Sequence, residues 1–310
     1  MTGELEFIAG LRALATSAEA RGLGDDVALL GELVLTHDMI AEGVHYLPGD
    51  PADAVAAKLV AVTLSDLAAK GAVPIGVLLG YCLGDGAWDR AFVAGLQVAL
   101  ADYDCALRGG DTIALPGGAP RVLGLTAIGR ASGRVPDRSG GRAGDGLWLV
   151  GTLGDSAAGL ALLRADAGAH GQLVEAYRRP RALIGEGWAL APHASAMMDV
   201  SDGLLIDAGR MAAASGVGMA IDLAALPLTT ACVAARGEDR DARLFAATGG
   251  DDYALLAALP PGTEALVRKS LPSGAHLVRI GELVAGAGIA LHDAGQPVEP
   301  PESPGYEHHA

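Results

Sequence analysis

The sequence predicts an α/β (α+β) chain built as two α/β domains. Three observations carry that reading. The chain has 310 residues, 51% of them apolar, ample for two buried cores. Strand-like and helix-like runs interleave in both halves. Between the halves, Ser132 to Gly146 is dense in Gly, Arg, Ser and Pro, as a linker is. The boundary is placed there, giving domains 1–135 and 136–310.

In order along the chain, residues 4–20 carry apolar positions at helical spacing, and Arg21-Gly22-Leu23-Gly24-Asp25-Asp26 breaks the helix. Val27 to Leu30 and Glu32 to Thr36 read as two strands of a hairpin around Gly31. His37 to Pro48 is polar and irregular. Pro51 opens a long Ala-rich helix ending near Gly71. Val73 to Leu83 is apolar enough for a buried strand, and Trp88 to Tyr103 repeats at helical period. Cys105 to Leu107 and Arg121 to Arg130 read as strands on either side of a Gly/Pro-rich turn at 116–120. Past the linker, Leu147 to Gly151 reads as a strand and Ser156 to Arg164 as a helix. Met197 to Val200 is a strand, followed by a helix capped by Ser201 or Asp202 that runs to Gly216. Strand-like runs recur at 217–222, 253–259 and 276–284, and the Pro-rich tail from Pro297 is extended.

Composition excludes several classes. Lys+Arg number 22 and Asp+Glu 37, a formal charge of −15, which repels nucleic acid unless cations intervene. The longest run free of Asp, Glu, Lys and Arg is the 14 residues Gly71 to Gly84, short of the roughly 20 a membrane helix needs. The start, MTGELEFIAGLRAL, lacks the basic region of a signal peptide. Three widely spaced cysteines suggest neither disulfides nor a zinc site. A soluble cytoplasmic protein is expected. The acid itself is lopsided: 24 Asp to 13 Glu, although Glu is the better helix former.

Short segments concentrate the aspartates: Gly24-Asp25-Asp26, Thr36-His37-Asp38, Ser65-Asp66, Gly109-Gly110-Asp111-Thr112, Asp199-Val200-Ser201-Asp202-Gly203 and Gly249-Gly250-Asp251-Asp252-Tyr253. Singly, each also reads as a turn or a helix cap. Asp66 is different, because its helix is apolar on almost every face and a buried carboxylate needs a partner or a metal. The alternative is an i,i+4 pair with Lys70. Two like charges about 4 Å apart repel by ~4 kcal/mol at an effective dielectric near 20, so convergence of several segments would demand Mg²⁺ or Ca²⁺. With only three lysines and no G-x-x-x-x-G-K-[ST], the chain has no P-loop. The stretch Gly151 to Ser156 either holds an anion on its amides or makes a tight turn. The remaining acids, Asp207 among them, read as surface charge.

Taken together these motifs resemble the thiamine-monophosphate kinase family, of the superfamily that includes aminoimidazole ribonucleotide synthetase. The carrying residues are Leu23 to Ala28, Thr36 to Tyr46 with its Glu-Gly-Val-His, Leu64-Ser-Asp-Leu-Ala-Ala to Ala72, Gly109 to Thr112, Gly151 to Gly159, Asp199 to Gly203 and Gly249 to Tyr253, in family order. The resemblance implies γ-phosphoryl transfer from ATP to thiamine monophosphate. It implies several Mg²⁺ ions at Asp25, Thr36, Asp38, Asp66, Asp111, Asp199 and Asp202. It implies ATP contacts from Asp111, Arg138 and Ser201, and substrate contacts from His45, Asp251 and Tyr306 in the tail Gly305 to His309. It also implies an N-terminal domain whose mixed sheet pairs in a homodimer, and a C-terminal α/β domain completing the site. Three departures stand out: His37 where the family usually has Thr, Asp251 for a Glu, and Ala254 for a second Glu.

The chemistry is coherent. A phosphate acceptor is already ionised at neutral pH, so no general base is expected, and metal ions offset the repulsion between two polyanions. Transfer is expected to be direct, without a phosphoenzyme. The rivals are another ATP-dependent enzyme of the superfamily, for instance one using a reactive cysteine on selenide, and a non-catalytic Mg²⁺–nucleotide binding module.

Overall fold

The computed structural model describes residues 4–306. Two sheets share the chain. The first is five-stranded, in the order β1-β2-β5-β3-β4, from β1 (Ala28–Leu30), β2 (Leu33–Ala41), β3 (Val73–Leu83), β4 (Leu107–Ala114) and β5 (Val122–Arg130). Only β3 and β4 run parallel in it. The second has seven strands, in the order β12-β11-β8-β10-β6-β9-β7. Its members are β6 (Gly146–Val150), β7 (Ala196–Val200), β8 (Gly218–Asp222), β9 (Ala254–Leu259), β10 (Leu277–Val284), β11 (Gly288–Asp293) and β12 (Gln296–Val298). Among the described residues no helix is long and apolar enough to cross a membrane.

Helix α2 (Ala52–Ala69) is the spine between the sheets. Its apolar residues occupy every face, so it can be solvated on none, and all but three of its side chains are buried. One side packs on β2, β5 and α3 (Gly86–Asp102), the other on α5 (Gln172–Arg178), α6 (Ile184–Leu190) and β7. Glycine makes that approach possible: a Cβ on Gly187 of α6 would stand 1.9 Å from the Ala68 carbonyl oxygen. Asp85 caps α3 by accepting from the amides of Ala87 and Trp88.

Several expectations need correction. The first helix, α1, ends at Arg12, and a 3₁₀ turn follows at Ala18–Leu23, because Arg21 and Gly22 take positive φ. The hairpin's second strand does not stop at Thr36. It continues through the supposedly irregular stretch to Ala41, paired residue by residue with β5 from Leu33↔Arg130 to Ala41↔Val122. Alternation explains its polarity: Val34, Thr36, Asp38 and Ile40 share the face toward α2, while His37 and Met39 are exposed. The strand expected at Cys105 to Leu107 is β4, an exposed edge running to Ala114.

Helices α5, α6, α8 (Thr230–Arg236), α9 (Arg240–Thr248) and α10 (Glu264–Ser270) were not anticipated. Helix α4 spans Asp155–Ala165. Helix α7 (Leu204–Ser215) begins at Gly203 with no side-chain cap from Ser201 or Asp202. Asp207, far from being surface charge, is fully buried in its first turn and accepts the Ser201 and Asp202 amides, each at 3.0 Å.

Candidate active site

Four aspartates meet where β2, α2 and β7 converge beside the loop entering β1. One carboxylate oxygen each from Asp26, Asp66 and Asp199 lies within 4.8 Å of the others. Asp38 faces the same group from β2. Strand alternation aims Thr36 and Asp38 inward together, and Asp66 rises from the buried face of α2. Hydroxyls line the cluster: Thr36 Oγ1 donates to Asp66 Oδ2, and Ser65 Oγ to Asp199 Oδ2 at 2.6 Å. Asp26 Oδ2 and Asp38 Oδ2 are buried and accept no hydrogen bond.

Electrostatics follow from that packing. Burial, then the charges of Asp199 and Asp26, pushes Asp38 up to about 7. Burial, then Asp26, pushes Asp199 up to about 6. Asp66 is driven well above the usual carboxylate range by burial and by its three acidic neighbours. Asp26 goes the other way. Burial acts to raise it, but Lys70 and Arg138 beside it hold it below the ordinary value. Hard oxygen donors, among them a buried Asp38 oxygen that accepts no hydrogen bond, fit a divalent cation such as Mg²⁺.

A cationic flank closes one side. Lys70 Nζ contacts Asp25 Oδ1 at 2.6 Å and Asp26 Oδ2 at 3.3 Å, so it is spent on these rather than on Asp66, and the helical-pair alternative falls. Arg21 holds the other Asp25 oxygen at 2.5 Å. Arg138 pairs with Asp26. Asp25 thus faces cations alone, whereas Asp26, though paired with Lys70 and Arg138, also reaches Asp66 and Asp199. Asp26 is the cluster member that sequence reasoning left out, since nothing in Gly24-Asp25-Asp26 says which carboxylate faces inward.

The other sequence-derived residues lie around this centre. Asp111 is exposed on β4, accepting the Thr112 amide, outside the four-acid cluster. Asp202 meets Arg210 at 2.5 Å. The Ser201 carbonyl accepts the Asp251 amide at 2.6 Å, which ties the two late loops together. His45 is half-buried in the turn after β2 and its Nδ1 accepts the Ala41 amide at 3.0 Å. The Tyr306 amide donates to the Asp202 carbonyl, docking the tail on the α7 entry, with the residue 47% exposed. Glu307, His308 and His309 fall outside the described residues. His37 lies on the outward face with its Nδ1 2.9 Å from Thr126 Oγ1, so that departure from the family pattern does not enter the cluster.

The stretch Gly151 to Ser156 meets an anion of its own chain: the Gly154 amide donates to both Asp252 oxygens, at 2.9 and 3.0 Å. Burial raises Asp252 well above the usual range. Beside this loop opens a cavity of about 800 Å³, lined by Thr152, Ser156, Arg179, Asp251, Asp252 and His276 among others.

The chain is similar to known proteins over nearly its whole length. Residues 24–131 match the family model for the AIR synthase related protein N-terminal domain, and residues 142–294 that for its C-terminal domain. Thiamine-monophosphate kinase of Caulobacter vibrioides is 37% identical, the match covering 96% of this chain and 88% of that protein. Its Escherichia coli K12 counterpart is 38% identical over 93% of this chain and 92% of its own. The solved structure of AaThiL complexed with AMPPCP and TMP superposes with a TM-score of 0.85 at 29% identity, covering 99% of this chain and 97% of that one.

Proposed function

The chain belongs to the thiamine-monophosphate kinase family of AIR synthase related proteins, and we propose that its acidic cleft carries the γ-phosphoryl of ATP to thiamine monophosphate, releasing thiamine diphosphate and ADP. The observation that supports this most directly is the convergence of Asp26, Asp38, Asp66 and Asp199, with a buried Asp38 oxygen that accepts no hydrogen bond. A structure of a relative with AMPPCP and TMP supports ATP as co-substrate.

When bound, Mg²⁺ ions supply charge neutralisation between the two polyanions and Lewis-acid stabilisation of the transferring group. The chain's own residues do the rest. Asp26, Asp38, Asp66 and Asp199, with Thr36, would hold the inner metal positions. Asp111 and Asp202, both reachable by solvent, complete the proposed acid set. Asp25 acts from behind by fixing Lys70 and Arg21. Arg138 and Ser201 are assigned to ATP together with Asp111, and His45, Asp251 and Tyr306 to thiamine monophosphate. No side chain is assigned as a general base, because the acceptor phosphate is ionised before it binds.

The outward face of the first sheet exposes Met39, Leu78 and Ile113, and we assign it to a homodimer interface. Three free, buried cysteines suit a reducing cytoplasm, where we place the protein. Cys82 is spent on the Val122 carbonyl, which disfavours the selenide-type rival. The test is ADP release with and without thiamine monophosphate in the presence of Mg²⁺. ADP release that depends on the acceptor is expected, and acceptor-independent release or none refutes the reading.

A further inference from the structure

Lys58 has no part in the site just described, yet it is 1% exposed. A buried ammonium persists only if its partners repay its desolvation. Its partners all come from the second half of the chain. Lys58 Nζ donates to Asp251 Oδ2 at 2.5 Å and to the Tyr177 carbonyl of α5 at 3.0 Å, and it stands 3.9 Å from the Tyr177 ring centroid.

Asp251 is correspondingly saturated. Its Oδ2 also accepts from Ser156 Oγ at 2.8 Å, and its Oδ1 from the Tyr253 hydroxyl at 2.9 Å. Its backbone sits at φ +63°, in the left-handed region that aspartate enters more readily than most non-glycine residues. The same Asp251 lines the 800 Å³ cavity. Lys58 and Asp66 lie on one rigid helix, about two turns apart. Whatever fixes Lys58 to Asp251 therefore fixes the cavity wall relative to the four-acid cluster.

We propose that Lys58 is a positioning residue, an interdomain clasp that locks the Asp251 loop to α2 and answers the Asp251 charge from inside the protein. Asp251 then serves thiamine monophosphate as part of the cavity wall, its charge already answered by Lys58 and not free to act as a counter-charge. The shortening from Glu to Asp fits, because the carboxylate turns toward α2. The choice of ligand rests on the kinase reading above.

Steady-state kinetics of Lys58→Met, Asp251→Asn and the double variant test this. A clasp predicts that Lys58→Met raises the KM for thiamine monophosphate about 10-fold or more while the KM for ATP stays within about 2-fold, and that the double variant is no worse than the poorer single variant. A free counter-charge predicts the opposite: Lys58→Met leaves that KM unchanged or lowers it, and the Asp251→Asn loss persists in full beside it. That result overturns the proposal. Hydrogen exchange supplies a readout that needs no turnover. Amides of Gly250 to Tyr253 should exchange about 10-fold faster in Lys58→Met while the middle of α2 keeps its protection, and unchanged exchange overturns the clasp. If the wild type releases no ADP with thiamine monophosphate, the kinase reading fails and the exchange result alone decides on Lys58. If Lys58→Met does not fold, the double variant, which buries neither charge, is compared with Asp251→Asn: equal exchange at Gly250 to Tyr253 supports the clasp, and slower exchange in the double variant overturns it.

Discussion

Lys70 and Asp25 form an ion pair of 2.6 Å in which neither side chain is more than 1% exposed. Removing one partner of such a pair strands the other in a low-dielectric interior. Lys70→Met should therefore cost ~3–5 kcal/mol of unfolding free energy, read from urea or guanidinium titration. Adding Asp25→Asn should recover part of it, because the stranded charge is then gone.

Asp66→Asn should lower metal-dependent kcat by about 100-fold or more, on the magnitude lost when a metal's protein environment is broken. The same substitution should raise the melting temperature measured in EDTA, since it removes a buried charge facing Asp38, Asp199 and Asp26. Full activity, or a lower melting temperature without metal, would show that Asp66 is not held in the acid cluster.

The pH dependence of the metal-free protein has a definite sign. Asp38 and Asp199 have folded-state values of about 7 and about 6, above the ordinary 3.8. The folded state therefore binds more protons than the unfolded state between those limits, and stability falls as pH rises from about 4 to about 7. Asp38→Asn should flatten that slope in EDTA, and saturating Mg²⁺ should flatten it in the wild type. A steeper loss in Asp38→Asn would contradict the assignment.

Tyr306→Ala should raise the KM for thiamine monophosphate by ~2- to 30-fold with kcat nearly unchanged, the equivalent of the ~0.5–2 kcal/mol that a cation–aromatic contact is worth. Unchanged kinetics would leave the ring with no part in binding.

Much of the fold is legible in the sequence. The long helix was visible because α2 is apolar all round, and β3 because its run is uninterrupted. The end of β2 was hidden by function itself, since Thr36 and Asp38 put polar atoms on the buried face where the alternating pattern expects apolar ones. Asp207 was misread because its burial is compensated by amides of the loop before its helix, a partnership no local pattern displays. Asp25 and Asp26 are neighbours that share Lys70, and only the fold shows that Asp26 alone also reaches Asp66 and Asp199. Lys58 was invisible for a simpler reason: its carboxylate partner is 193 residues away.

The nine-residue pairing of β2 with β5 has a further consequence. A one-residue slip of a strand turns every side chain to the opposite face. In a slipped chain Thr36 and Asp38 would point to solvent, and His37 and Met39 would fill the space beside α2. Misfolded molecules of this kind would lack the cleft altogether instead of working poorly. Specific activity after refolding would then count correctly paired molecules, an all-or-none gauge of folding yield built into the strand that carries Thr36 and Asp38.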